Sequence, residues 1–320
     1  MRIAVIYSIG VQEGLIKGLR KLGHEVIPLF NGLTTNKMIL KLRYPKYRFA
    51  LREIENRFNN QIEKFGILNK KKKVDAIIFF RGYALTNKSK KIIQETNATK
   101  ISWATDSFER FTAQRELAAY MDKVFVCDEL DADNKKNQWL PLGFDDELFA
   151  YQEKKDIDLL LLGDISQPQY KTRLEYIIEA SGLGKEGVNI TFAGSGLNQR
   201  IVKKLHENKV KTYRYQPFEK YAKMISRSKI CVNIQQDDGG RSINPLFFAI
   251  PACGGIQITE EKNYLDKWLN PNVDFFPISI NLLNKTIVTF LATQKRFEKI
   301  NAEKIREFHS YVSRAATILN

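Results

Sequence analysis

The segment Asn244-Pro245-Leu246-Phe247-Phe248-Ala249-Ile250-Pro251-Ala252-Cys253-Gly254-Gly255 carries the residue types of a short capped helix that can hold an anion. Asn244 suits an N-cap, Pro245 the first helical position, and the two glycines a stop at positive φ. Ahead of it, Ile230-Cys231-Val232-Asn233-Ile234 reads as a strand and Asp237-Asp238-Gly239-Gly240-Arg241 as a flexible polar loop. A helix start flanked by glycines and Arg241 offers free N–H groups and the positive end of a dipole to a phosphate. In a chain of alternating strands and helices, this points to a phosphate-bearing ligand such as a nucleotide. A plain helix start has the same signature, and that reading stays open.

The elements that must position this motif form two βα series. In the first half, 3–7 and 24–30 read as strands around a helix over 11–22 that Gly23 ends. The apolar runs 74–80, 100–104 and 123–127 then alternate with helical stretches. Short continuous apolar strands separated by helices predict parallel sheets covered on both faces. Pro141-Leu142-Gly143 and the polar run Gln152-Glu153-Lys154-Lys155 interrupt the pattern, which restarts with strands over 157–162, 188–193 and 210–213. The C-terminal stretches 282–291 and 295–319 look helical. The expected organisation is a Rossmann-like domain over 1–148, a second over 149–294, and a helix over 295–320 that crosses back to the first.

Composition bounds the function. Hydrophobic residues at 43% and charged residues at 27% describe a globular chain, and no apolar run reaches the roughly 18 residues of a membrane span. No export signal precedes the first strand, so a cytoplasmic protein is expected. Cys127, Cys231 and Cys253 are scattered, and His24, His206 and His309 are isolated, which predicts buried reduced thiols and no histidine-based metal site. The net charge of +15 implies an anionic partner. Between Asn36 and Lys73, twelve Lys or Arg stand against three acids, with Tyr44, Tyr47, Phe49 and Phe58 interleaved. Lys41, Arg43, Lys46, Arg48 and Arg52 are the candidate contacts to an anionic acceptor, acidic lipid headgroups or a nucleic-acid backbone. A solvated helix face with its aromatics turned inward fits equally. Ser8-Ile9-Gly10-Val11-Gln12-Glu13-Gly14 is not a dinucleotide fingerprint, and no P-loop occurs.

The second half resembles bacterial glycosyltransferases of the GT-B fold, and within them the CgeB-like group. The features that carry the resemblance run from Lys155-Asp156-Ile157 to Gly163, with Arg173 following, through Ile190-Thr191-Phe192-Ala193-Gly194, Pro217 and Ser228-Lys229-Ile230-Cys231-Val232-Asn233. The 244–254 helix and His309-Ser310-Tyr311-Val312-Ser313-Arg314 complete them. In the first half, Trp103-Ala104-Thr105-Asp106 is similar to a W-x-x-D at the edge of the cleft in such proteins.

The resemblance implies an α/β GT-B-like fold of two facing Rossmann-like domains. A nucleotide-sugar donor, a substrate and not a cofactor, would be held by the second domain and a glycan or lipid-linked acceptor by the first. Gly163 and Asp164 would end a strand where backbone approaches the ligand, and Lys171 and Arg173 would offset diphosphate charge. Arg241, Ser242 and the amides after Asn244 would take the other phosphate oxygens. Gly194, Ser195, Gly196 and the loop from Tyr213 through Pro217 would flank base and ribose. Many relatives carry an arginine and a glutamate in the motif helix, where this chain has Leu246 and Ala249; Arg241 or Asp238 could substitute.

An inverting transfer needs a general base near the acceptor hydroxyl, and Asp106, after an apolar strand, is the first candidate. An N-cap of the helix expected from Phe108 is its other reading. Glu109, Asp128 and Glu129 are reserves. Asp131-Ala132-Asp133 has the D-x-D form that binds a divalent ion in another glycosyltransferase fold, but reads better as an acidic turn, so no metal site is expected. The expected function is cell-surface glycan synthesis at the inner face of an anionic membrane. The alternatives are a transferase acting on modified DNA bases and a non-catalytic member binding a glycan or partner.

Overall fold

The computed structural model describes residues 1–7, 12–30, 45–133, 135–166, 170–214, 218–235, 239–293, 295 and 297–320, with 45–50 described by backbone alone. The chain divides into two compact units, Met1–Leu142 with Tyr311–Asn320, and Gly143–Ser310.

The first unit runs β1 (Arg2–Tyr7), α1 (Glu13–Lys21), β2 (Glu25–Phe30), α2 (Pro45–Lys71), β3 (Ala76–Phe80), α3 (Asn87–Glu95), β4 (Thr99–Ala104), α4 (Thr112–Ala118), β5 (Lys123–Val126) and β6 (Asn137–Trp139). Its six parallel strands lie in the order β2-β1-β3-β4-β5-β6. Every residue of β1 and β3 is buried, as central strands covered on both faces require, whereas β2 alternates with solvent at the edge. From β1 the chain passes to β2 on one side and to β3 on the other. The carboxyl ends of β1 and β3 therefore form a topological switch point, the place where open parallel sheets leave a crevice. One face of α2 anchors here through Phe58, Ile62 and Phe65, all essentially inaccessible. Asn59 on the same face holds the loop after β3, donating to the Ala84 carbonyl at 2.9 Å and accepting from the Thr86 amide at 2.9 Å.

The second unit runs β7 (Ile157–Leu162), α5 (Lys171–Ser181), β8 (Ile190–Ala193), α6 (Gln199–Glu207), β9 (Lys211–Tyr213), α7 (Phe218–Ser226), β10 (Ser228–Val232), α8 (Leu246–Ala252), β11 (Ile256–Thr259), β12 (Phe276–Pro277), α9 (Leu283–Ala292) and α10 (Lys299–His309). Its parallel order is β12-β11-β10-β7-β8-β9, which puts the switch point between β7 and β10. Arg306 on α10 donates to the carbonyls of Phe149 and Asp146, each at 2.6 Å, and so fastens the start of this unit.

The C-terminal segment differs from its expectation. The single helix over 295–320 is two helices, α10 and α11 (Tyr311–Leu319), parted at Ser310, whose backbone is extended at φ −70° and ψ 165°. Only α11 belongs with the first unit. Its Tyr311 packs edge-on against Phe80 and Trp103, which stack on each other at 4.8 Å, and Arg314 donates to the Pro141 carbonyl at 2.9 Å. The boundary accordingly falls after Leu142 and not near 148, because 143–149 pack with α10. Strand β6 was not anticipated; three residues with no buried member give almost no periodicity to read.

Candidate functional site

The carboxyl edge of the second sheet is organised around Arg173. Although α5 begins only two residues before it, the side chain turns inward, 7% exposed, and lies at the switch point. Nε and Nη2 donate to the Ile234 carbonyl beyond β10 at 2.9 and 2.7 Å, and Nη1 donates to the Asp164 carbonyl beyond β7 at 2.8 Å. The guanidinium stacks over Tyr170 at 4.7 Å. Burial lowers its pKa, opposed by Tyr170, Glu260 and Asp164. Arg173 thus joins the ends of the two switch-point strands, and the donors expected to offset diphosphate charge are engaged by the protein itself. Its donors are used chiefly on the backbone.

The glycines have their reason in the same place. Gly163 sits at φ 121°, and a Cβ there would meet Arg173 Cδ at 2.8 Å. At Gly194 a Cβ would collide with the Gly163 carbonyl oxygen. Close approach of the two strand ends demands Gly194, and the positive φ with the Arg173 side chain packed against it demands Gly163, independently of any ligand. Ser195 and Gly196 follow in the same loop, the Ser195 carbonyl accepting from the Ile165 amide at 3.0 Å. Asp164 Oδ1 accepts from the Ser166 amide at 2.9 Å. Lys171 is exposed and 3.8 Å from Glu175 on the next turn, and Tyr213 is exposed at the end of β9.

The motif helix is built differently from its expectation. Asn244 is not the N-cap: α8 starts at Leu246, and Pro245 stands at the cap in helical conformation without a side-chain hydrogen bond. The Asn244 amide is drawn instead to strand-end amides that burial would otherwise leave unsatisfied. Its Nδ2 donates to Asn233 Oδ1 at 3.1 Å and to Gln235 Oε1 at 3.0 Å; Asn233 Nδ2 in turn donates to Gln257 Oε1 at 2.8 Å. Gln235 Nε2 is buried with no hydrogen-bond partner among the described residues. With seven residues, α8 offers little dipole, so the anion site read into its start is not formed by the helix itself. Arg241 is exposed and Ser242 half-buried ahead of it. Leu246 is half-buried and Ala249 fully buried, so the two family positions hold no polar group here.

One residue of this edge escaped the sequence reading. Glu260, directly after β11, is 6% exposed, and its oxygens accept from the Gln235 amide at 3.0 and 3.2 Å and face Lys262 Nζ at 3.2 Å. Burial raises its pKa above the ordinary 4.5, with Lys262 opposing. The stability it contributes is therefore complete below pH 4.5 and lost as pH rises through the raised value. Glu260→Gln is expected to be more stable than the parent at pH 7.5, with the gap closing by pH 4.5, in urea titrations at the two pH values.

The carboxyl edge of the first sheet holds Asp106, two residues beyond β4. Its Oδ2 lies 3.2 Å from Thr105 Oγ1 and 3.5 Å from Arg81 Nη2. The N-cap reading fails, because α4 begins at Thr112 behind Phe111, and the Phe108 amide is taken by Asp131 Oδ2 at 2.6 Å. Asp131 and Asp133 serve the backbone: Asp133 Oδ1 accepts from the amides of Lys135, Lys136 and Asn137. Among the reserves, Asp128 is buried and accepts from the Leu130 amide at 3.0 Å, while Glu109 is exposed. Arg81, missed in the sequence, follows β3 as Glu260 follows β11. The readable signal in both was a charged residue directly after a buried strand of a parallel sheet. Among the described residues, no cluster of three His, Cys, Asp or Glu could hold a metal ion. Burial raises the pKa of all three thiols, to about 12 at Cys231 and about 11 at Cys253.

Pro217, Asp238, Lys41 and Arg43 lie outside the described residues, as do the side chains of Lys46 and Arg48. Arg52 is exposed on α2. No described helix is long and apolar enough to cross a membrane. A cavity of about 410 Å³ lined by Tyr151, Lys155, Lys229, Gly254, Phe290 and Lys295 opens where β10 begins, at the opposite end of the second sheet from Arg173.

Residues 173–320 match a family model described as glycosyl transferase-like. No curated protein matches the chain. Sucrose-phosphate synthase from Thermosynechococcus elongatus is similar at a TM-score of 0.66 and 15% identity, over 99% of this chain and 97% of its own. Anabaena Alr3699/HepE in complex with UDP-glucose is similar at 0.64 and 14%, over 100% and 98%. UDP-GlcNAc 2-epimerase from Neisseria meningitidis, bound to UDP-GlcNAc, is similar at 0.58 and 12%, over 100% and 98%. The fold is that of GT-B glycosyltransferases, two Rossmann-like α/β units with parallel sheets, and the second half carries a glycosyl transferase-like domain.

Proposed function

We propose that the chain is a glycosyltransferase in which the second unit binds a nucleotide-sugar and the first unit binds the acceptor. The observation that carries this reading is the glycosyl transferase-like match over 173–320, which opens on Arg173, the residue around which the switch point of the second sheet is built. Ligands of open parallel sheets bind at that point. The nucleotide lies against the backbone at 163–164 and 194–196, where two glycines let strand ends approach closely. Lys171 and Arg241 offset the charge of the departing diphosphate. Glu260, the buried carboxylate of this edge, accepts ribose hydroxyls in place of the carboxylate that Ala249 lacks. Asp106 takes the proton of the acceptor hydroxyl as its oxygen attacks the anomeric carbon and the bond to the diphosphate breaks. The reaction requires no resident cofactor in this reading, and metal independence is part of the proposal.

The acceptor is proposed to be a glycan or lipid-linked intermediate at the cytoplasmic face of an anionic membrane. On α2 and just beyond it, Lys64, Lys70, Lys71, Lys72 and Lys73 are exposed around Ile67 and Leu68, which are 58% and 38% exposed. Such a cationic face with an apolar centre suits acidic headgroups at about 1 kcal/mol per basic residue near the surface. The parent is expected to pellet with vesicles containing phosphatidylserine, and Ile67→Asp with Leu68→Asp to reduce pelleting several-fold. Retention of duplex DNA with no vesicle binding would favour the transferase acting on DNA.

The likeness to a UDP-GlcNAc 2-epimerase favours one second reading, rearrangement of the nucleotide-sugar itself. Incubation with a panel of nucleotide-sugars and membrane extract, followed by chromatography and NMR, separates the two. A glycosylated acceptor with released nucleoside diphosphate supports transfer, and a 2-epimeric donor supports the second reading. An inert panel that also fails to raise the melting temperature would leave the non-catalytic binder.

A further inference from the structure

The residue most at odds with its local backbone lies in the first unit. Arg81 directly follows β3 at φ 73°, in the left-handed region that a non-glycine side chain occupies at a cost. It sits at the first sheet's own switch point, the counterpart of the place Arg173 holds in the second. Its backbone is fixed there, since its amide donates to the Trp103 carbonyl at 3.0 Å. The guanidinium is held between two rings, 5.0 Å from the centre of Phe111 and 5.7 Å from that of Tyr83. Tyr83 is itself packed edge-on against Phe58 of α2 at 5.5 Å. Among the described residues its one ion pair is the 3.5 Å contact with Asp106, too long for a strong hydrogen bond. Among the described residues Nε is buried without a partner, and so is Nε2 of Gln114, a side chain 2% exposed whose Oε1 accepts from the Thr105 amide at 3.0 Å. Glycine would relieve the backbone, and no structural bond of the side chain accounts for arginine.

We propose that Arg81 is an anion-recognition residue for the acceptor, selecting a molecule that bears a phosphate or carboxylate beside the hydroxyl presented to Asp106. The inference rests on the transferase reading above. Tyr83 and Phe111 flank the guanidinium carbon and the side chain stays 22% exposed, so its terminal N–H donors can pair with an oxyanion as arginine does with phosphates and carboxylates. Asp106 then lies within one side chain of the bound anion. An anionic acceptor gains charge-assisted hydrogen bonds from the terminal guanidinium nitrogens that a neutral one cannot match, so charge on the acceptor favours binding.

The test is calorimetric titration of the full chain with glucose 6-phosphate, glucuronate and glucose, each with UDP held saturating to occupy the nucleotide site. The parent is expected to bind one or both anionic sugars at least tenfold more tightly than glucose, and the pair of anions tells phosphate from carboxylate. Arg81→Gly should abolish that preference while melting at or above the parent temperature, because the strain is relieved. Arg81→Lys, which keeps the charge but not the fork, should retain only part of it, and it stands in should the glycine variant fail to fold. Equal affinity for glucose and both anions in the parent, or an undiminished preference in Arg81→Gly and Arg81→Lys, would overturn the inference. UDP binding measured alone in the same preparations separates this outcome from failure of the transferase reading, which would appear as a parent that does not bind nucleotide.

Discussion

Asp106→Asn is expected to lower transfer to the acceptor by about 10²- to 10⁴-fold with donor binding unchanged, the usual loss when a positioned general base is removed. The substitution is nearly isosteric; it removes the capacity to take a proton and, with the charge, the 3.5 Å ion pair with Arg81. The geometry argues that the fold will not suffer. Asp106 caps no helix, its neighbouring turn is held by Asp131 through the Phe108 amide, and its contacts are with Thr105 and Arg81. A drop in kcat with matching circular dichroism and an unshifted donor titration is the expected pattern. Near-normal turnover would move the base elsewhere, with Glu109 and Asp128 the next carboxylates to replace.

The second large effect is expected at Arg173. Arg173→Met keeps much of the volume and apolar stem but removes three N–H···O=C bonds, leaving the Ile234 and Asp164 carbonyls without their donor. Stranding acceptors in this way costs about 1–3 kcal/mol each, so with two carbonyls the second unit should lose about 2–6 kcal/mol. Urea unfolding would read this as a lower midpoint with little change in slope. Nucleotide binding should be lost even where the variant remains folded, because the guanidinium joins the strand ends on either side of the switch point. Arg173→Lys is expected to recover only part of both properties, since one ammonium cannot span both carbonyls with a planar fork. Unchanged stability and binding in Arg173→Met would show that the residue is an ordinary helix side chain.

The contrast between Asn244 and Arg173 shows how far the sequence could be read. The central strands of both sheets, such as β3, β7 and β10, were legible because their buried runs are short, largely apolar and closed by a polar or glycine-containing turn, whereas β6 was not. The glycine at 163 and the aspartate at 106 could be placed at carboxyl ends from the same pattern. Local rules then misled wherever a tertiary partner was stronger than the local one. Asn244 has the composition of a cap, but Asn233 and Gln235 compete for its amide across the strand ends. Arg173 lies in a helix pattern, yet its guanidinium is drawn inward to the Asp164 carbonyl, nine residues back, and to the Ile234 carbonyl, which arrives from 61 residues away along the chain. The break at Ser310 was hidden because the residues on both sides favour helix, and the extended backbone there is set by pairing with Phe144. Arg81 and Glu260 were readable in principle, as charges set directly after buried strands, but only once the strand order identified which ends lie at or next to a switch point.

Hydrogen exchange of the full chain with and without saturating UDP tests the central claim most directly, since it reports where nucleotide protects backbone amides. Protection is expected at 163–166 and 194–196, around Gln235 and at Glu260, all on the carboxyl edge of the second sheet. Protection confined to the opposite edge, around Lys155, Lys229 and Lys295, or none at any UDP concentration, would contradict it.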